Sequence, residues 1–120
     1  MIEKNKIIRS DVDVDYACSG IVEAGDLVFI SYCFGNVGQS IENQIIGAID
    51  TLEKRLETKG LTLESVVNTK CLFKDIMDLP VLKNVFKEKF KGKYPSRTAI
   101  QSDFVIDGLL FQIDAIAFKG

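Results

Sequence analysis

Arg97 is the residue whose type and setting most invite chemistry. It sits in Lys93-Tyr94-Pro95-Ser96-Arg97-Thr98-Ala99-Ile100-Gln101, the one cation in an otherwise uncharged stretch after Lys93. Proline fixes its own φ and keeps the preceding tyrosine out of the α region, so the backbone should enter a strand here. An arginine at such a place is either a buried clamp or an edge-strand solubiliser. As a clamp, its rigid fork of donors matches a carboxylate bidentately, which suits an α-keto or α-imino acid; a structural ion pair is the alternative. The second group of interest is Gln112 and Asp114 in the closing run Leu109 to Phe118, LLFQIDAIAF. Two residues apart on a strand, they share one face. The plainer readings are a hydrogen-bonding role for Gln112, and for Asp114 a partnership with a neighbouring lysine or backbone amide.

Composition removes several chemistries. The chain of 120 residues has no histidine, which excludes Ser–His–Asp, Cys–His and HExxH arrangements and takes away the usual nitrogen ligand for zinc. No metal and no cofactor is expected. Cys18, Cys33 and Cys71 are an odd number, widely spaced and without a CxxC pair, and read as reduced thiols. Net charge is −2 with a pI of about 5.1, so no global field favours nucleic acid. Lys83, Lys87 and Lys91 repeat every four residues within a local cluster that includes Lys89 and Lys93, and read as a solvated helix face. No apolar run reaches the ~18 residues of a spanning helix, and MIEKNKIIRSD lacks an apolar leader core, so a cytoplasmic protein is expected.

The elements that would carry these residues can be placed from patterning. Lys6 to Arg9 and Ser19 to Val22 are short strand candidates, followed by the turn Glu23-Ala24-Gly25-Asp26 and the compact apolar strand Leu27 to Ser31. Ile41, Ile45, Ile49, Leu52 and Leu56 recur at helical spacing, which predicts a helix over Ser40 to Lys59, capped by Ser40 and closed by Gly60. Val66 to Phe73 reads as a half-buried strand with Val67, Thr69, Cys71 and Phe73 on its inner face. Asp78 offers a cap for a second helix whose inner face is Leu82, Val85, Phe86 and Phe90, ending near Gly92. Two strands, Thr98 to Val105 and Leu109 to Phe118, should follow, joined by the Asp107-Gly108 turn dipeptide. The economical arrangement is one α+β domain over residues 1–120, a single mixed sheet with both helices on one face. The other sheet face would be left apolar, and an oligomer would cover it.

In this order, the helix over 40–59, the connector GLTLESVV at Gly60 to Val67, FKDIMDLP at Phe73 to Pro80, the arginine segment and the closing strand resemble the Rid/YjgF family of reactive-imine deaminases, also known as L-PSP endoribonucleases. The resemblance spans about Val22 to the C-terminus. It implies a fold similar to the trimeric bacterial chorismate mutases and a homotrimer with ligand clefts between subunits, where the arginine matching Arg97 grips a ligand carboxylate. The implied reaction is hydrolysis of a 2-imino acid to a 2-keto acid and ammonia. Substrate contacts would involve Arg97, Ser31, Tyr32, Cys18, Ala99 and Phe86, with Gln112 and Asp114 as the catalytic candidates. The departures are informative. Gln112 stands where active members carry the glutamate that activates water, Ala99 replaces a cysteine, and the family's N-terminal tyrosine falls at Cys18 with Tyr16 two positions earlier. Tyr32 takes the place of a glycine beside Ser31, and the long loop after that strand is shortened. The resemblance therefore implies a deaminase that is slow or altered in substrate choice, or a trimer that binds a small carboxylate metabolite without turning it over. Ribonuclease chemistry is disfavoured in an acidic chain without histidine.

Overall fold

The computed structural model describes residues 6–120, so the reading of the first five positions as lacking a leader core lies outside the described residues. Six strands and two helices run in the order β1 (Ile7–Asp13), β2 (Cys18–Ala24), β3 (Leu27–Cys33), α1 (Ile41–Glu57), β4 (Val66–Phe73), α2 (Leu79–Phe90), β5 (Ser96–Gln101) and β6 (Phe111–Phe118), with short 3-10 turns at Leu63–Ser65 and Ile76–Asp78. The sheet order is β1-β2-β3-β6-β4-β5. β6 lies antiparallel between β3 and β4, and β4 pairs with β5 in parallel. Each helix is thus a crossover between parallel strands, α1 linking β3 to β4 and α2 linking β4 to β5. This is the α+β mixed sheet with two helices that the patterning predicts.

Both helices cover the same sheet face. Ile45, Ala48, Ile49, Leu52 and Leu56 of α1 and Leu82, Val85, Phe86 and Phe90 of α2 meet Val28, Ile30, Cys71, Phe73, Phe111, Ile113, Ala115 and Ala117 in one core. Phe73 and Phe111, direct cross-strand partners, pack edge to face with ring centroids 5.0 Å apart. Ser40 caps α1 by accepting the Asn43 N–H at 3.2 Å, and Gly60 adopts a left-handed φ of +71°. The backbones of α1 and the segment after β3 touch at Gly35 and Gly47, where a Cβ on Gly35 would lie 2.8 Å from the Gly47 carbonyl carbon. Only glycine fits both sides of that contact.

Four local expectations are corrected. The strand expected over Thr98 to Val105 ends at Gln101, and it does not form a hairpin with β6, because β4 lies between them. The reason is Gln44. Fully buried, its Nε2 donates to the Gly108 carbonyl at 2.9 Å and its Oε1 accepts from the Leu110 N–H at 2.8 Å, fastening the 102–110 loop to α1; Asp107 and Gly108 do form a turn, with the Leu109 N–H on the Ile106 carbonyl at 3.3 Å, but no hairpin. The first strand runs on to Asp13, beyond Arg9. Val67 is 47% exposed while Val66 is buried, since a register shift between Val66 and Asn68 flips the start of β4. Asp78 makes no capping hydrogen bond; Asp75 does the capping one turn earlier, accepting the Met77 N–H at 3.0 Å.

The face away from the helices carries rows of side chains set by the register. One row is Ile7, Ala24, Leu27 and Phe118; the next brings together Val22, Phe29, Ile116 and Asn68; a third aligns Gln112, Leu72 and Ile100. Leu27, Phe29, Ile100 and Phe118 remain 39–47% exposed there. No helix among the described residues is long and apolar enough to cross a membrane.

Candidate functional site

Arg97 lies on β5, the edge strand, directly across from Thr69 of β4. Thr69 is fully buried under the helices, so Arg97 projects on the helix side. Its Cζ stands 6.0 Å from the centroid of the Phe86 ring on α2, a cation–π distance. The two residues line a cavity of about 440 Å3 together with Lys83, Lys87, Tyr94 and Pro95. Pro95 leads the chain from the left-handed end of α2, Lys91 and Gly92, into β5 and so aims Arg97 over this space. Among the described residues Arg97 has no ion-pair partner. Ala99, two residues on, is half-buried on the same face and packs against the core.

Gln112 and Asp114 lie on the opposite face. They pair with Leu72 and Lys70 of β4, whose neighbours Cys71 and Phe73 point to the helices. Gln112 lines a small cavity of about 130 Å3 with Tyr32, Leu72, Phe104 and Ile106. Asp114 lines another, of about 220 Å3, with Ser31, Phe29, Asn68 and Lys70. Its Oδ1 also accepts the Tyr32 N–H at 2.8 Å, so the carboxylate is engaged with a backbone amide. Tyr32 holds a φ of +66° at the register shift between Ile30 and Cys33, and its ring packs edge-on against Phe34 at 5.2 Å. The left-handed backbone that suits glycine is therefore kept by a tyrosine, whose side chain now fills space beside Gln112.

Cys18 is exposed and lines a further cavity of about 380 Å3 with Tyr32, Asp11, Asp13 and Arg55. Patterning alone does not single out Arg55. It follows Leu52 by three residues on α1, which brings its stem to the buried face, and its Nη1 donates to the Ser31 carbonyl and to Cys33 Sγ at 3.6 Å. Its Nε reaches Asp11 Oδ2 at 3.7 Å. Gly20 makes room, since a Cβ there would lie 3.2 Å from Arg55 Cζ. A charged residue three positions after an apolar one, facing a strand glycine, was the available signal. Cys33 and Cys71 are buried, which pushes their thiols up to about 11 and about 12, so both stay protonated and inert near neutrality.

Within one chain the candidates thus fall into two sets. Arg97, Phe86 and Ala99 share the helix face at the β5 edge. Tyr32 joins Cys18 on one side to Gln112 on the other, with Ser31 and Asp114 adjacent. β4 and the thickness of the sheet separate the sets.

A sequence model of the family described as Endoribonuclease L-PSP matches residues 12–119, and the chain belongs to this Rid/YjgF family. The rat protein named 2-iminobutanoate/2-iminopropanoate deaminase is 33% identical, over 97% of this chain and 94% of its own length. The human protein of that name matches at 30% identity over 61% of this chain, where the chain spans about half, 53%, of the relative. Among solved structures, a yjgF-family protein of Streptococcus pyogenes superposes with a TM-score of 0.91 at 49% identity, covering 93% of this chain and 95% of that one. A Mycobacterium tuberculosis member at 24% identity gives a TM-score of 0.84 over 94% of this chain and 99% of its own, a likeness of fold.

Proposed function

We propose that this chain assembles as a homotrimer and hydrolyses small 2-imino acids to 2-keto acids and ammonia in clefts between subunits. The observation that carries the reading is Arg97, an arginine without a carboxylate partner among the described residues, held over Phe86 in an open cavity on an edge strand. Relatives named imine deaminases support it. Because Arg97 and Gln112 occupy opposite faces of one sheet, the site is completed by two copies: Arg97, Phe86 and Ala99 from one, and Cys18, Ser31, Tyr32 and Gln112 from its neighbour. The exposed apolar rows around Leu27, Phe29 and Phe118 supply surface for the association.

The chemistry asks little of the protein. Arg97 fixes the substrate carboxylate through two parallel hydrogen bonds, which holds the imine carbon in one place. Gln112 Oε1 accepts a hydrogen bond from a water and aims its oxygen at that carbon. The water adds to C=N, its proton passes to the nitrogen, and the carbinolamine collapses to ketone and ammonia. Without a carboxylate at position 112 the proton must travel through water, so the rate gain comes from positioning. Asp114 serves the site by holding the Tyr32 backbone.

A second reading, a trimer that binds a carboxylate metabolite without turnover, is favoured by Gln112 alone. Quenching of 2-iminobutanoate generated in situ separates the two. The wild type should shorten the imine's lifetime, and Arg97→Ala should abolish the effect while remaining folded. A lifetime equal to that in buffer, with 2-ketobutyrate still bound, would favour the binding reading. Sedimentation showing a monomer at micromolar concentration would remove the intersubunit site.

A further inference from the structure

The lining of the Arg97 cavity is electrostatically one-sided. Lys83, Lys87 and Arg97 surround it with Phe86, Tyr94 and Pro95, and no carboxylate among the described residues contributes to its wall. Several other cations of this chain are matched, Lys89 reaching Asp50 and Glu53, Lys93 reaching Glu64, and Lys59 and Lys119 sharing Glu23, while Arg9, Lys54, Lys70 and Lys91 stand apart on the surface without an ion pair among the described residues. None of the three cavity cations has an ion-pair partner among the described residues. Lys83 and Lys87 are one turn apart on α2, about 6 Å along its axis, a spacing at which like charges oppose helix formation. Such a pair, beside a third cation and over an aromatic wall, concentrates positive potential in one concavity.

A monocarboxylate held by Arg97 neutralises one of these three charges. From this we propose that the cavity selects 2-keto and 2-imino acids whose side chain ends in a second carboxylate, with Lys83 and Lys87 receiving that second charge. The proposal rests on the reading of Arg97 as the carboxylate clamp. The division of labour follows from side-chain chemistry. Arginine's planar fork fixes the carboxylate beside the reacting carbon, while the lysine ammoniums, on flexible stems, follow a terminal carboxylate over a range of chain lengths. Phe86 lies between the two ends, three residues from Lys83 and one from Lys87, and offers its ring to the intervening methylenes. The cavity, at about 440 Å3, is in the range of small-molecule sites and leaves room beyond a four-carbon acid.

Calorimetry on the assembled wild-type protein with 2-ketobutyrate and 2-ketoglutarate tests this. The diacid should bind about tenfold tighter at low salt, as two partly exposed ion pairs would give, and the advantage should shrink as salt screens them. The Lys83→Gln, Lys87→Gln double variant, altered only at exposed positions, should erase the difference between the two acids. Equal wild-type affinities, or a full diacid advantage in the double variant, would overturn the proposal. Arg97→Ala should weaken both acids. If it weakens neither, the clamp reading itself fails, a result distinct from indifference to the second carboxylate.

Discussion

Asp114 Oδ1 accepts the backbone N–H of Tyr32 at 2.8 Å and so holds a non-glycine residue at φ +66°. The bond joins the centre of β6 to the irregular end of β3, and it fixes where the Tyr32 ring stands between the Cys18 and Gln112 cavities. Arg55 braces the same bend from below through the Ser31 carbonyl. A carboxylate two residues from Gln112 is thereby occupied in shaping the pocket wall.

Removing the acceptor should therefore cost more than removing the charge. Asp114→Ala leaves a part-buried amide unpaired and the left-handed backbone unsupported, for a loss of about 1–3 kcal/mol. Asp114→Asn keeps an oxygen in place and should lose less than about 1 kcal/mol. Denaturant unfolding of both variants measures this; equal losses would mean that the charge opposite Lys70 matters and the hydrogen bond does not.

Much of the fold was legible because helix periodicity and β-rich runs are local signals. The stripe from Ile41 to Leu56 and the apolar residues of α2 mark both helices, and the β-rich run Val66 to Phe73 coincides with β4. The misplacements were long-range. Nothing near Asp107-Gly108 reveals that Gln44, on a distant helix, takes the hydrogen bonds a hairpin would have made. The register shift at Val67 is likewise a property of β4 and β6 together. At the candidate site, Arg97 was conspicuous as the one cation in an otherwise uncharged segment; that it stands exposed on the edge strand β5 is a property of the sheet order, which the segment does not reveal. Arg55 was hidden, since its neighbours on α1 are charged and only the fold turns its guanidinium under β3.

Acid should weaken the fold through Glu23. Its carboxylate lies 2.7 Å from Lys119 Nζ and 3.0 Å from Lys59 Nζ. The hydrogen bond from Lys119, then that from Lys59, hold its pKa below the ordinary 4.5 against the opposing effect of burial. A depressed folded-state pKa stabilises the protein above the unfolded value, and that contribution disappears as pH falls through the folded value. Stability should thus drop below about pH 4.5, and Glu23→Gln should flatten that part of the profile while lowering stability near neutrality. Parallel profiles for wild type and variant would remove Glu23 as the cause.

Gln112→Glu should restore a proton acceptor in nearly the same volume. If general-base help is the missing contribution, imine hydrolysis should rise by ~10²-fold, and only above the pKa of the new carboxylate. A folded variant that binds keto acids and keeps the wild-type rate from about pH 5 to about pH 9 would place the defect in the pocket walls at Tyr32 and Cys18, and the metabolite-binding reading would stand.

The two-subunit site is tested most directly by mixing chains that each lack one half. Arg97→Ala and Gln112→Leu should each be impaired in imine hydrolysis when pure. Refolded together in equal amounts, they should form mixed trimers in which about one site in four pairs an intact Arg97 with an intact Gln112, so activity should rise well above the mean of the two parents. A mixture no more active than that mean would place Arg97 and Gln112 outside a shared site and contradict the composite cleft.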